Sequence, residues 1–501
     1  MTNFKEKYNQ LDSDLDTLKE YFLENIEEIN GPIQIYTHLD SDGLSAGAIL
    51  GKALFRKDIP FKITVLKQLE REEIVKINEE SKESGNFIIF SDFGSGQYKF
   101  IEENLTNPFI ILDHHLPYRV SDKDKIDLLK EIYKSTKEWH INPYFYGIDG
   151  SEEISGSGMS YLFAKKLDEK NSDLSVVALI GASGDVQNQG NNKSFVGINA
   201  KIAEEAKSND LIAVVDDINF SPIKPLNKAI AYSSEITLPG LSGDVNKTLK
   251  FLKNLGILMK HSDGTIKSLM DLNQEEKQKI TSAIIEYISI KLDIEPYQII
   301  NKLIVNRYLL TSEEEGSDLQ DINEFSNLLN ACGRTNNASI GIAIAMGDRN
   351  EAYKQAKQNL QDYKKSLVNA LTWIRENKVI IEMDNIQYFY GDDMIPESII
   401  GTVSSMLIFD EGEIIDRDKP IFGYAKRIDE DVYKISARAH KSIVEKGVNL
   451  SDAIRKALEL TNLIALGGGH PPAAGTKIPI DKIDIFLENC NKVIEEQLNN
   501  N

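Results

Sequence analysis

Asp113, His114 and His115 stand together in the run Leu112-Asp113-His114-His115-Leu116-Pro117, directly after the apolar stretch Pro108-Phe109-Ile110-Ile111-Leu112. Two of the chain's seven histidines are spent at this one place. On its own the triplet also reads as a polar turn capped by an aspartate. Three further segments carry the same residue types. His38, Asp40 and Asp42 alternate with non-ligating residues in His38-Leu39-Asp40-Ser41-Asp42-Gly43, and alternate residues of an extended segment share a face. Asp92 follows Phe87-Ile88-Ile89-Phe90-Ser91, and Asp185 closes Gly181-Ala182-Ser183-Gly184-Asp185. Carboxylates and imidazoles without thiolate form a hard to borderline ligand set, suited to Mn²⁺ or Mg²⁺ more than to structural zinc. Five aspartates and three histidines exceed the needs of one ion. Two ions roughly 3.5–4 Å apart, sharing a bridging carboxylate, fit that number and are the usual arrangement for phosphoester hydrolysis.

Positioning these groups requires strands that end where the acids begin. Ile33 to Thr37, Phe87 to Phe90, Pro108 to Leu112 and Val176 to Ile180 are short apolar runs of buried-strand type, each handing an acid to the next loop. Open α/β sheets place their chemistry at such strand ends. Gly43 would let the backbone turn into a helix from Leu44 to Phe55. Gly94-Ser95-Gly96 offers either backbone N–H groups for a phosphate or a tight turn.

The second half of the chain carries its own signals. In Leu466-Gly467-Gly468-Gly469-His470-Pro471-Pro472 the glycines allow close approach of backbone to an anion, with His470 as donor, although the pattern also reads as a plain loop. Val432 to Arg438 alternates as a strand does, and the planar fork of Arg438 suits phosphate. Leu329-Asn330-Ala331-Cys332-Gly333-Arg334 also reads as a helix C-terminus, with Gly333 as cap and Arg334 beside the last carbonyls.

Taken in order, HLDSDG, SDFGSG, DHH and GASGD resemble the DHH-family phosphoesterases, which include RecJ-type exonucleases, family II pyrophosphatases and oligonucleotide phosphodiesterases. The resemblance spans about the first half of the chain. It implies that His38, Asp40 and Asp92 hold one ion, and that Asp42, Asp92, His114 and Asp185 hold the other, with Asp92 bridging. It further implies that His115 faces the substrate phosphate and that Asp113 orients a neighbouring ligand, so Asp92, His115 and Asp113 are the catalytic candidates. Two ions, Mn²⁺ ahead of Mg²⁺, would lower the pKa of a shared water.

The second half resembles the DHH-associated C-terminal domain, which implies that Ser436, Arg438, Gly467, Gly468, Gly469 and His470 hold nucleic acid. The LNA-x-GR pattern is similar to that of RecJ-like nucleases, and makes Arg334 the candidate for the terminal phosphate of a single strand. With Gly341 to Asp348 the chain resembles archaeal RecJ-like proteins, which associate with the GINS replication complex and are related to an inactive eukaryotic helicase component. The implied fold is α/β. A DHH domain (1–255) carries a mainly parallel sheet flanked by helices and the two-metal site, followed by a helical connector or insertion (256–321). A smaller α/β DHH-associated nucleic-acid-binding domain (322–501) ends the chain. The implied activity is metal-dependent exonucleolytic cleavage at the end of single-stranded DNA or RNA, in replication or repair. The alternatives are a phosphodiesterase for short oligonucleotides or cyclic dinucleotides, and a replisome scaffold that binds GINS with weak catalysis.

Composition agrees with a globular chain of two or three domains: 501 residues, 41% hydrophobic. No apolar run approaches the roughly 18 residues of a membrane span, and the charged opening Phe4-Lys5-Glu6 lacks a signal-peptide core, so a cytoplasmic location is expected. Cys332 and Cys490 form no CxxC pattern and read as small core residues. The net charge of −21 argues against a broad duplex-binding surface, because such binding depends on counterion release by basic residues. Part of it belongs to the acid cluster; the rest is expected on solvated segments such as Glu70 to Glu73 and Asp429 to Asp431. A helix is expected after Asn273, another short segment of the helical connector from Pro296, and a polar hinge over Thr311 to Ser317. His140 and His261 read as surface or hydrogen-bonded residues, His440 as a neighbour of Arg438, Trp139 and Trp373 as buried indoles, and Asn499 to Asn501 as a frayed end.

Overall fold

The computed structural model describes residues 4–29, 31–82, 84–117, 125–233, 236, 238–408, 414–427, 430–463 and 467–499, with the backbone alone at 125, 126 and 470. Of the residues singled out above, Asp429, Leu466, Asn500 and Asn501 lie outside this set. Contacts divide the chain into two units, one of residues 1–239 with 248–360 and one of 240–247 with 361–501. The expected domain boundary at 321 thus falls inside the first unit.

Uninterrupted apolar runs make strands that can be buried on both faces, as a parallel sheet requires. In the first unit β1 (Ile33–His38), β2 (Phe61–Leu66), β3 (Ile88–Ser91), β4 (Phe109–Leu112) and β5 (His140–Ile141) form a parallel sheet in the order β2-β1-β3-β4-β5. On one face Tyr36, Phe90 and Ile111 pack with Ile74, Ile77, Tyr98 and Ile101 of the helices Arg71–Lys82 and Tyr98–Asn104. On the other, Gly47 of helix Ser41–Phe55 lies over Thr37 and Ile63. That helix is rich in glycine and alanine, so it also packs closely on helices Gly156–Leu167 and Ser175–Gly184. The strand order reverses between β1 and β3, and ligands of open α/β sheets bind at such a switch point, beyond the carboxyl ends of the strands.

Two expectations are corrected here. The run Val176 to Ile180 lies in helix Ser175–Gly184, not in a strand. It is buried nearly all round, and an apolar stretch of that length does not distinguish a buried strand from a buried helix. Asp40 and Asp42 do not alternate along an extended segment either. Asp40 caps helix Ser41–Phe55, accepting from the Gly43 N–H at 3.0 Å, and Asp42 sits in its first turn.

The rest of the first unit continues through helices Gln274–Leu292, opened by a capping box at Asn273, and Pro296–Leu303. β7 (Ile304–Leu310) then pairs antiparallel with β6 (Ile212–Ile218), so the connector is helical with one strand. A turn over Thr311 to Ser317 leads to helix Ile322–Arg334. The second unit is smaller and built on a mixed six-stranded sheet. Its strands β8 (Ile381–Glu382), β9 (Gln387–Tyr390), β10 (Ile421–Lys426), β11 (Val432–Arg438), β12 (Gly468–His470) and β13 (Ala473–Pro479) run in the order β12-β13-β11-β10-β9-β8. Phe422, Ile435 and Ala437 pack one face against Ile454, Leu458 and Phe486. Phe389, Ile421 and Ala425 pack the other against Ile400 and Val403.

Cys332 and Cys490 are buried core residues, and His140 is buried with Nε2 2.8 Å from Ser95 Oγ. Trp139 packs its ring 4.8 Å from Phe109, and Trp373 joins the core of the second unit.

Candidate metal centre

Three neighbouring strands end together. His38 closes β1, Asp92 follows β3, and Asp113, His114 and His115 follow β4. Helix Ser41–Phe55 adds Asp40 and Asp42 at its N-terminus, and Asp185 stands at the C-terminal cap of helix Ser175–Gly184. Donor atoms of His38, Asp40 and Asp92 lie within 4.8 Å of one another, as do those of Asp42, His114 and Asp185, and those of Asp92, Asp113, His114 and His115.

Asp92 joins these groups. Its Oδ2 lies 3.7 Å from His38 Nδ1, which is itself 2.8 Å from Asp40 Oδ2. Its Oδ1 lies 3.2 Å from His114 Nε2, which is 3.7 Å from Asp42 Oδ2 and 3.8 Å from Asp185 Oδ2. The Asp92 backbone is left-handed, at φ 64°, an uncommon conformation that aims the carboxylate. Space for it depends on Gly156, where a Cβ would fall 2.4 Å from Asp92 Oδ1.

Hydrogen bonds from outside fix each group. His114 Nδ1 is 2.6 Å from the Gly150 carbonyl, so Nδ1 carries the proton and the lone pair of Nε2 faces the carboxylates. The N-terminus of helix Gly156–Leu167 holds Asp42: the N–H groups of Gly156 and Ser157 donate at 2.7 and 3.0 Å, joined by the Ser157 hydroxyl. Gln187 Nε2 donates to Asp185 Oδ2 at 2.8 Å. Asp113 accepts from the Ser95 N–H at 2.9 Å, from the His115 N–H at 3.1 Å and from His115 Nδ1 at 2.9 Å. The Ser95 N–H is therefore spent on Asp113, and the turn reading of Gly94-Ser95-Gly96 holds for it.

The donors fit divalent cations. Asp92 Oδ1 and Oδ2 and His114 Nε2 are buried with no hydrogen-bond partner among the described residues, a costly state that an ion between them would relieve. Burial, with Asp42 and Asp40 nearby, pushes the Asp92 carboxyl well above the usual carboxylate range. Burial likewise raises Asp185, to about 6. Against partial burial and the adjacent His114, the Asp113 carboxylate holds His115 up at about 9. The His115 side chain is 56% exposed.

Helix Ile322–Arg334 buttresses the centre in a way the sequence did not announce. Asn330 Oδ1 accepts from the Ser41 N–H at 3.0 Å, and a Cβ at Gly333 would fall 1.7 Å from the Leu39 carbonyl oxygen. Gly333 thus serves close approach and not capping; the cap is Thr335. Asn330 and Gly333 were visible in the motif, but their roles were not. Gly150, Gly156, Ser157 and Gln187 were also missed. Only Gln187, two residues beyond Asp185, lay near a recognised motif.

The other candidates lie apart in sequence. Arg334 ends helix Ile322–Arg334 in the first unit. In the second, strand register sets Ser436, Gly475 and Gly468 side by side, and likewise Arg438, Ala473 and His470. Gly469 lies in β12 and Gly467 just before it. Arg438 Nε donates to Ser405 Oγ at 2.8 Å. His440 caps the short helix Lys441–Glu445.

Comparison with known proteins gives two domain matches, to the DHH-CID domain over residues 222–304 and to the DHHA1 domain over residues 386–496. The uncharacterized protein MJ0831 of Methanocaldococcus jannaschii is 34% identical over 496 residues, 98% of this chain and 99% of that one. Among solved structures, CDC45 from Entamoeba histolytica shares the fold with a TM-score of 0.62 at 13% identity, covering 98% of both chains. RecJ from Thermus thermophilus, in complex with Mn²⁺, does so with a TM-score of 0.53 at 16% identity, over 96% of this chain. The present chain spans 55% of that RecJ. Among the described residues no helix is long and apolar enough to cross a membrane.

Proposed function

This chain belongs to the family of MJ0831 and is a DHH/DHHA1-domain protein, and from that premise we propose that it is a two-metal phosphodiesterase, an exonuclease acting at the end of single-stranded DNA or RNA. The observation that carries the reading is Asp92: its two buried oxygens lack hydrogen-bond partners among the described residues, and each faces a different set of donors. In this reading His38, Asp40 and Asp92 hold one divalent ion, Mn²⁺ ahead of Mg²⁺, and Asp42, Asp92, His114 and Asp185 the other. Ions held there would supply the Lewis acidity that lowers the pKa of a nearby water and offset the charge of the reacting phosphate.

The chain's own groups do the rest. Asp113 keeps the His115 Nδ1 proton engaged at 2.9 Å, which leaves the Nε2 proton for a phosphate oxygen. Ser436, Arg438, Gly467, Gly468, Gly469 and His470 bind the strand, and Arg334 its terminal phosphate. The planar guanidinium of Arg438, oriented by Ser405 and the Ala437 carbonyl, is of a kind suited to phosphate. A role in replication or repair, with GINS as partner, belongs to the same proposal.

The test is a degradation time course on single-stranded DNA and RNA oligonucleotides labelled at either end, with Mn²⁺, Mg²⁺ or chelator and with Asp92→Ala as control. Stepwise, metal-dependent shortening is the expected result. Cleavage confined to di- to tetranucleotides would transfer the reading to a small-substrate phosphodiesterase, and no cleavage at all would leave a scaffold.

A further inference from the structure

The strand β5 is two residues long, yet the residue that leaves it reaches the turn carrying His115. Ile141 of β5 pairs with Leu112 of β4, so Asn142 emerges beside Asp113. Asn142 is fully buried. Its Nδ2 donates to the His115 carbonyl at 2.8 Å and to Ser95 Oγ at 2.9 Å, while its Oδ1 accepts from the Tyr144 N–H at 3.0 Å. A carbonyl can only accept, which fixes the amide with its NH₂ group towards His115. Ser95 is shared: its N–H donates to Asp113 Oδ2 at 2.9 Å, and its Oγ also lies 2.8 Å from Nε2 of the buried His140. Every member is costly to leave unpaired, so the network favours one arrangement.

This network ties down both ends of the Asp113-His114-His115 turn. Ser95 holds Asp113 by its side chain, and Asn142 holds His115 by its backbone. His115 Nδ1 then bonds the fixed Asp113 Oδ1 at 2.9 Å. Such bracing matters because the His115 side chain is more than half exposed, and an exposed ring samples several rotamers unless its backbone and its partner are both held.

We propose that Asn142, together with Ser95, is a positioning residue that sets the direction in which His115 offers its Nε2 proton to phosphate; this rests on the phosphodiesterase reading above. Asn142 meets His115 only at the carbonyl, so its influence on the reacting phosphate passes through His115. A preorganised donor counts most where charge develops in the transition state. A misdirected His115 therefore lowers turnover more than ground-state binding.

The test is a double-mutant cycle on the full-length, Mn²⁺-loaded protein that combines Asn142→Asp with His115→Ala. It reads single-strand cleavage and the affinity for orthovanadate, which mimics phosphorus under attack. Aspartate keeps the shape of asparagine and the oxygen used by Tyr144 but loses both donors; Asn142→Ser, which adds no charge, takes its place should that variant not fold. Each single substitution is expected to lower kcat and orthovanadate affinity ten-fold or more, with KM and Mn²⁺ affinity within two-fold of wild type. Once His115 is absent, Asn142→Asp should cost less than a further two-fold. An equal loss in both backgrounds would make Asn142 merely structural and overturn the positioning role. So would a loss below two-fold, a matching loss of Mn²⁺ affinity, or orthovanadate binding indifferent to His115→Ala. The two readings fail separably: a wild type that binds orthovanadate with coupled variants but cleaves nothing sinks the phosphodiesterase alone, and cleavage with uncoupled variants sinks the positioning role alone.

Discussion

The side-chain oxygen of Asn330 accepts a hydrogen bond from the backbone N–H of Ser41 at 3.0 Å, across 289 residues of sequence. It satisfies one of the orphan donors at the start of helix Ser41–Phe55, between the two aspartates that this helix presents to the candidate metal centre. An element far along the chain thereby sets the angle at which Asp40 and Asp42 approach.

Asn330→Ala should therefore lower stability by about 1 kcal/mol, the usual cost of a lost helix cap, and weaken Mn²⁺ binding as well. Thermal unfolding and metal titration read the two effects. Unchanged metal affinity would mean that the hydrogen bond serves the fold alone.

Gly333→Ala places a methyl group against the Leu39 carbonyl oxygen, and backbone must move to admit it. The expected cost is about 1–3 kcal/mol, as for overpacking elsewhere, accompanied by weaker metal binding. Gly333→Ala with wild-type unfolding would contradict the close approach.

Asp92→Asn should stabilise the metal-free protein by roughly 1–2 kcal/mol, because it removes a buried charge crowded by Asp42 and Asp40. The same substitution should abolish stabilisation by Mn²⁺, which for the wild type would reach about 2.7 kcal/mol at a hundred times Kd. Denaturation with and without metal distinguishes this from a merely structural aspartate. Asp92→Ala should abolish cleavage with little loss of fold.

Burial lowers the His140 imidazole to about 4, from its ordinary value of 6.5. The unfolded chain then binds the proton more readily than the folded one. The contribution of His140 to stability is full above 6.5 and is lost as pH falls towards 4, by about 3 kcal/mol at most. His140→Gln should flatten the stability profile in that window. A slope equal to that of the wild type would show that His140 does not titrate there.

Arg438→Lys should raise the Kd for a single-stranded oligonucleotide about ten-fold, since an ammonium cannot reproduce the planar fork, and leave Mn²⁺ binding untouched. Fluorescence anisotropy with a catalytically inert variant measures it. Wild-type affinity would remove Arg438 from the binding surface.

The clustering of candidate donors, and the strands that end beside most of them, could be read from the residues alone. Apolar runs such as Ile33 to Thr37 and Phe109 to Leu112 bury on both faces, so β1, β3 and β4 and the acids after them were legible. The run Val176 to Ile180 carries the same local signal and folds as a helix, because its partners are the helices packed on it and not neighbouring strands. Which neighbours each candidate donor meets depends on the packing of distant elements. Asp40 and Asp42 are two residues apart, yet one meets His38 while the other is held by Gly156 and Ser157, more than a hundred residues away. Local periodicity reports which face of an element is buried; which distant N–H or amide meets that face depends on packing among whole helices, and no short pattern encodes it.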